Sequence, residues 1–293
     1  MTRTSLFYKH LTLLDYAFFH KRDGARGNSL IVDAEFVGEL DDEGILFDFS
    51  HSKKAVKKII DEICDHRLIL PKGIVFQMDE HNSVFNYKTQ YGPLHYEAPH
   101  QAFCEIEGDP TSYRAIAQFL EQELLPRLPE NLEDIKLSLR EEPLSSFDSS
   151  FHYTHGLRSH YGNCQRLFHG HSNTLVIEVN GQRRRDLEKE LAEEIFHNSV
   201  HFCYFENLVN KDDYNLKLGR PSSSKPVEIM YQGNQGVFRA KVPSELVYFL
   251  PMETTVENLS KHFYQLVREE VSEKDKICVS AFEGIAKGAC SRD

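Results

Sequence analysis

Two stretches near the start of the chain, SLFYKHLTLLDYAFF and NSLIVDAEFVGEL, are rich in β-branched and aromatic residues and predict a pair of long strands. The period then changes. Val56, Ile59, Ile60 and Ile63 recur at helical spacing in SKKAVKKIIDEI and share one face. GIVFQMDEHNSVFNYKT predicts a hairpin, and DPTSYRAIAQFLEQELL predicts a second helix with Asp109 as N-cap and Pro110 at the first helical position. IKLSLREE closes this half as a strand ending in an acid. The second half repeats that order. SSFHYTH and NTLVIEVNG predict strands, and RRDLEKELAEEIF a helix on Leu187, Leu191 and Ile195. PVEIMYQGNQGVFRAKV predicts a hairpin, METTVENLSKHFYQLVREEV a helix on Leu259, Phe263, Leu266 and Val267, and ICVSAFE a strand ending again in an acid. One order of elements, recurring at an offset of about 140–155 residues, argues for tandem duplication of a β-β-α-β-β-α-β unit whose middle hairpin elaborates a simpler ββαββ-type core. The units are 1–143 and 144–293, divided in the Ser/Pro-rich stretch PLSSFDSS; a second loop, KLGRPSSSKP, is internal to the second unit.

Composition narrows the class. With 34 Lys+Arg against 45 Asp+Glu among 293 residues, the net charge of −11 argues against an extended nucleic-acid or anionic-membrane footprint, but not against a local basic pocket. No apolar run reaches the roughly 18 residues of a membrane helix, and the N-terminal stretch lacks the order of features of a secretory signal. Six scattered cysteines without a CxxC pair suit reduced thiols in the cytoplasm. Fifteen histidines with no tryptophan is the unusual number, and several of them cluster in FHYTHGLRSHYGNCQRLFHGHS.

His169 and His171 are two apart, so on a strand both imidazoles share a face. An isolated H-x-H is most simply a solvated polar face. Here His155 ends the preceding strand, and antiparallel pairing would bring a third imidazole to the same place. Three neutral imidazoles leave the fourth position of a tetrahedral Zn²⁺ open, as in a catalytic site. Gly170 would let the backbone approach a neighbour closely. Cys164, in the connection, is a candidate base or nucleophile, a fourth metal ligand, or a small buried loop residue.

FHYTHGLRSHYGNCQRLFHGHSN resembles the first two strands of the 6-pyruvoyltetrahydropterin synthase family, which includes the 6-carboxytetrahydropterin synthases of queuosine biosynthesis. The resemblance implies an α+β fold. It would comprise two tandem tunnel-fold (T-fold, ββαββ-type) units, with antiparallel sheets packed by helices, assembling into oligomeric barrels. It also implies Zn²⁺ on His155, His169 and His171, with Cys164 as the catalytic base. The family's Asp-His pair, which assists the cysteine, is matched in the first half by Asp65 and His66. Its Thr-x-Glu-Asn cap is matched by Thr255, Val256, Glu257 and Asn258, and its pterin-anchoring Glu by Glu283. Glu141 is the first-half counterpart of Glu283, with Glu142 an off-by-one alternative.

The halves depart from that pattern in complementary ways. In the first half the metal positions align to Phe18, Arg26 and Asn28; in the second, the Asp-His position falls in VHFCYFEN, with only His201 near it. The family builds its site between subunits, so the reading is one composite site, with the zinc face from the second half and Asp65–His66 from the first. Whether the halves meet within one chain or across chains stays open. The spacing from Cys164 to the HGH strand matches neither the carboxy- nor the pyruvoyl-forming branch.

The implied substrate is 7,8-dihydroneopterin triphosphate, processed by lyase chemistry. Zinc would act as Lewis acid, Cys164 as base with His66 and Asp65, and Glu283 as pterin anchor. Arg158, Arg166 and Lys54 are candidates for the triphosphate. The 6-carboxytetrahydropterin product is favoured over the pyruvoyl one. Two competing readings are a non-catalytic pterin- or purine-binding protein and a cofactor-free tandem enzyme of the urate oxidase kind; the histidine cluster argues against the last. The expected protein is a homo-oligomer, because lone units would expose sheet edges.

Overall fold

A computed structural model describes residues 4–293. The first half opens with β1 (Thr4–His20) and β2 (Gly24–Gly38), followed by α1 (Phe49–Ile63), β3 (Leu68–Pro71), the hairpin β4 (Asn82–Thr89) and β5 (Gly92–Pro99), β6 (Phe103–Ile106), α2 (Tyr113–Leu124) and β7 (Leu132–Arg140). The second half has β8 (Ser150–His155), β9 (His169–Val179), α3 (Arg185–Lys189), β10 (Ser199–Tyr204), the hairpin β11 (Val227–Gly233) and β12 (Gly236–Val242), β13 (Val247–Leu250), α4 (Val256–Glu270), β14 (Ile277–Phe282) and a further β15 (Gly288–Arg292). The order repeats, and so does the pairing: β6-β3-β1-β2-β7 in one sheet and β13-β10-β8-β9-β14-β15 in the other. The protein is α+β.

Several expectations need correction. The sheets are mixed, because short strands absent from the sequence reading add on in parallel: β3 to β1, β6 to β3, β10 to β8 and β13 to β10. Asp109 does not cap α2. It accepts from Thr111 N (2.9 Å) in the turn before, and Ser112 is the cap, accepting from Ala115 N. Asp109 and Pro110 stand before the helical turn begins. GIVFQMDEHNSVFNYKT does form a hairpin, with a short first arm in which Phe76 and Gln77 pair antiparallel with Val84 and Ser83, but its long arm goes on to make a second, longer hairpin over 82–99 that the sequence reading lacked. The helix on Leu187 and Leu191 widens after Lys189 into a π-turn over Glu190–Ile195. α1 follows the pattern more closely: Asp48 accepts from Ser50 N and His51 N, and Val56, Ile59 and Ile60 are buried.

Three cores hold the molecule. One lies between the first sheet and α1–α2, another between the second sheet and the helices of that half. The third is shared. β5 pairs antiparallel with β12, so the two hairpins form one sheet, and it packs on residues of both halves, including Phe19, Leu68, Phe168 and Phe249. Burying Phe168, Phe238 and Phe249 there contributes about 2–3 kcal/mol each. The hairpin expected as an ornament therefore joins the halves.

The sheets also cross directly. At the crossing Gly27 of β2 meets Gly170 of β9; a Cβ on Gly27 would overlap Tyr153 O and stand 2.5 Å from His171 N, and one on Gly170 would stand 2.6 Å from Gly27 Cα. Only two glycines at matching places allow this approach.

Candidate functional site

The β8–β9 register sets His155 opposite His169 and Tyr153 opposite His171. All three histidines are buried. Each Nδ1 is turned outward: His155 Nδ1 donates to Thr254 O (2.9 Å), His169 Nδ1 donates to Arg166 O (2.8 Å), and His171 Nδ1 faces Asp15 Oδ1 at 3.2 Å, a close contact not aligned as a hydrogen bond. The three Nε2 atoms are buried and have no hydrogen-bond partner among the described residues. Their ligand atoms lie within 4.8 Å of one another. Burial, then the neighbouring imidazoles, holds His155 and His169 well below the ordinary histidine range, so both are neutral with a free lone pair. Three converging orphan acceptors are costly in an apolar interior, and a tetrahedral cation with one open position satisfies them. The residues fit Zn²⁺.

The first half has the same register, with Phe18 opposite Arg26 and Tyr16 opposite Asn28. Phe18, Arg26 and Asn28 thus occupy the places of His155, His169 and His171. A different network fills that face: Asn28 Nδ2 donates to Tyr16 OH (3.2 Å) and Tyr113 OH (3.4 Å), and Tyr113 OH donates to Glu141. Glu141 therefore belongs to the vacated face and not to the histidine cluster.

The halves meet within one chain. His66 stacks on His169 with ring centroids 5.1 Å apart, and His66, Cys164 and His169 form a second close group. Asp65 bonds His66 Nδ1 through one oxygen and accepts from Asp15 N (3.0 Å) through the other. Burial alone would depress the His66 imidazole, but the Asp65 carboxylate, with Cys164 beside it, pushes it up to about 10. An imidazolium has no lone pair for a metal, so His155, His169 and His171 are the better ligand set. His66 sits in the left-handed region (φ +56°), strain of the kind functional sites store.

Cys164 rides on the long connection 156–168, where the first half has only residues 21–23. The hairpin sheet holds that loop: Tyr96 OH donates to Leu167 O (2.7 Å), Tyr231 OH donates to Gln165 O (2.7 Å), and Gln235 N donates to Gln165 Oε1 (2.7 Å). Arg166, a candidate for phosphate, is buried and committed, with Nη1 donating to Asp65 O (3.3 Å) and Nε to Gln235 Oε1 (2.9 Å). Arg158 pairs with Glu253 at 3.5 Å, and Lys54 is exposed on α1.

Thr255 caps α4, accepting from Asn258 N (3.4 Å), and its neighbour Thr254 backs His155; Glu257 is exposed on the first turn. Glu283 is half-buried at the end of β14, close enough to act electrostatically on Tyr153. In the second half the place of Asp65–His66 falls to Asn198 and Ser199, because Ser199 pairs with His152 and His201 with Thr154. His201 is a buried structural residue bonded to Thr154 Oγ1 (2.9 Å), which burial pushes down to about 3.

The sequence reading missed Asp15. Its carboxylate touches His171, accepts from Ser29 and pairs with Lys287 Nζ at 3.0 Å, while its backbone O accepts from His66 N (2.6 Å). Burial opposes its ionisation, but His171 and Lys287 prevail and hold it below the usual carboxylate range. A lone acid inside the apolar run LTLLDYAFF was the available signal.

A duplicated α+β chain with a buried triple-imidazole cluster, a facing thiol and an Asp-His pair is by class a candidate metal-dependent acid–base enzyme for a small molecule. The family model for 6-pyruvoyl tetrahydropterin synthase matches it twice, over residues 9–149 and 144–289, and the chain belongs to that family as a tandem duplication. It is 25% identical over 142 residues to a putative 6-carboxy-5,6,7,8-tetrahydropterin synthase of Pyrococcus horikoshii, spanning 48% of this chain and 83% of that protein. Among solved structures, the 6-pyruvoyl tetrahydropterin synthase of Plasmodium vivax is similar at 19% identity and a TM-score of 0.39, covering 50% of this chain and 95% of that one. The Plasmodium falciparum protein is similar at 21% identity and a TM-score of 0.37, covering 48% and 92%. Among the described residues no helix is long and apolar enough to cross a membrane.

Proposed function

We propose that this protein is a zinc-dependent lyase that converts 7,8-dihydroneopterin triphosphate to 6-carboxy-5,6,7,8-tetrahydropterin in queuosine (7-deazaguanine) biosynthesis. One observation carries the reading: Asp65 and His66 of the first half lie against Cys164 and His169 of the second, so each half supplies what the other lacks. The similarity to the putative 6-carboxy-5,6,7,8-tetrahydropterin synthase of Pyrococcus horikoshii supports the carboxy product.

His155, His169 and His171 would hold Zn²⁺, which supplies Lewis acidity toward the substrate's side-chain hydroxyls. Cys164 takes a proton from the adjacent carbon. His66, held by Asp65, is the conjugate acid that exchanges protons with the thiol and the departing groups. Glu283 accepts hydrogen bonds from the pterin amino and ring N–H groups. Thr255 contributes by capping α4, which sets Thr254 behind His155. The edges β6, β7, β13 and β15 favour closure of tunnel-fold barrels in a cytoplasmic homo-oligomer.

Mass spectrometry after incubating the zinc-loaded protein with dihydroneopterin triphosphate tests the reading. A carboxypterin with acetaldehyde is expected, a pyruvoyl pterin would move the chain to the other branch, and binding without turnover would make it a pterin-binding protein. Cys164→Ala is expected to abolish turnover while keeping about one zinc per chain. Two zinc ions per chain would refute the single composite site.

A further inference from the structure

A cavity of about 400 Å³ opens between the halves, with Asp65 and His66 in its wall. Three ammonium groups line it from two sides. Lys53 and Lys57 project from α1 one turn apart, and Lys287 comes from the turn between β14 and β15. His10 completes the rim, at a bulge that shifts the β1–β2 register between Tyr8 and Thr12. Its backbone is left-handed (φ +63°), and in the first half only His10 and His66 among the described non-glycine residues adopt that conformation. Both are at this cavity, and such strain persists where surrounding structure enforces it.

The negative groups here are largely turned to other work. Asp15 faces His171 and Ser29 as well as Lys287, and Asp65 is occupied by His66 and Asp15 N. Asp61 pairs with Lys57 from outside (2.7 Å). Among the described residues Lys53 has no ion pair or hydrogen bond. An unpaired ammonium in a chain of net charge −11, with a second one turn along its helix and a third across a cavity too large for one carboxylate, suits a flexible polyanion. Lysines bind phosphate as mobile point charges and do not demand the planar fork that favours arginine.

We propose that Lys53, Lys57 and Lys287 form a polyphosphate-binding subsite, which takes the triphosphate tail while the pterin side chain lies against the histidine cluster. The assignment rests on the substrate class proposed above, but the subsite can be tested apart from it. Calorimetric titration of the intact, zinc-loaded protein with inorganic tripolyphosphate is expected to show one site per chain, weakened by added salt. Lys53→Gln with Lys57→Gln should weaken it at least tenfold and raise KM for the pterin triphosphate more than it lowers kcat. Lys58→Gln with Lys72→Gln, both outside the cavity lining, removes equal charge and should leave binding within twofold. Absence of tripolyphosphate binding, or equal losses in both pairs, would overturn the subsite. Lysine-dependent tripolyphosphate binding without turnover of dihydroneopterin triphosphate would uphold the subsite and defeat the proposed reaction. Turnover with a KM indifferent to Lys53 and Lys57 would do the reverse.

Discussion

Replacing Asp15 with Asn keeps the size of a buried side chain and removes its charge. Backbone contacts survive, so Asp15 N still donates to Asp65 and Asp15 O still accepts from His66 N. What disappears is the anion 3.2 Å from His171 Nδ1 and the partner of Lys287 at 3.0 Å. Loss of a carboxylate behind a ligating histidine costs about 10–100-fold in metal affinity, or about 1.4–2.7 kcal/mol. The Lys287 pair adds little to stability, because its side chain is 47% exposed and such pairs contribute about 1 kcal/mol at most. Asp15→Asn is therefore expected to bind zinc about 10–100-fold more weakly in competition with a chromophoric chelator, while the metal-free protein loses about 1–2 kcal/mol in urea unfolding. Ser29→Ala, which takes one hydrogen bond from the carboxylate and leaves its charge, should change zinc affinity by less than a few-fold. Zinc affinity in Asp15→Asn within twofold of the parent, with the fold intact, would refute the role given to this carboxylate.

Three further predictions concern the frame around the site. Gly27→Ala puts a Cβ against backbone at the sheet crossing, where neither partner can swing away, and should cost more than about 4 kcal/mol or prevent soluble folding; an unchanged urea midpoint would contradict the crossing. Tyr231→Phe removes the donor to Gln165 O beside Cys164, with an expected loss of about 1 kcal/mol in stability and a larger proportional loss in kcat; a variant matching the parent in both would show that the loop does not need the hairpin. Burial pushes His262 down to about 4, as it does His152, so the folded state prefers the neutral ring and the unfolded chain binds more protons below its pKa of about 6.5. Stability contributed by each is complete above about pH 6.5 and is lost as pH falls toward 4, at up to about 1.4 kcal/mol per pH unit; His262→Gln should flatten that dependence, and an unaltered slope would remove His262 as its source.

Local pattern carried much of this architecture. Runs rich in β-branched and aromatic residues announced the long strands, helical spacing marked the buried face of α1 from Val56 to Ile60, and the repeated order exposed the duplication. The His155, His169 and His171 cluster was legible because strand periodicity and one antiparallel pairing suffice to gather it. The short parallel strands β3, β6, β10 and β13 were not legible, since each is only a few residues long and acquires its pattern from a neighbour distant in sequence. Asp109 and Ser112 are both good caps, and local sequence does not choose between them.

By itself the sequence determined the chemistry available: three imidazoles, a thiol, an Asp-His pair, and two halves that had each lost something different. Tertiary structure decided who meets whom. Gly27 and Gly170 let the sheets cross at backbone contact, which brings His66 against His169 inside a single chain. It also decided the roles of Asp15, Thr254 and Lys287, three ordinary residues in separate segments that become the surroundings of one site. The physical reason is range. Periodicity and caps act over a few residues, whereas the charge on Asp15 matters to His171 only because packing brings them together across the two halves.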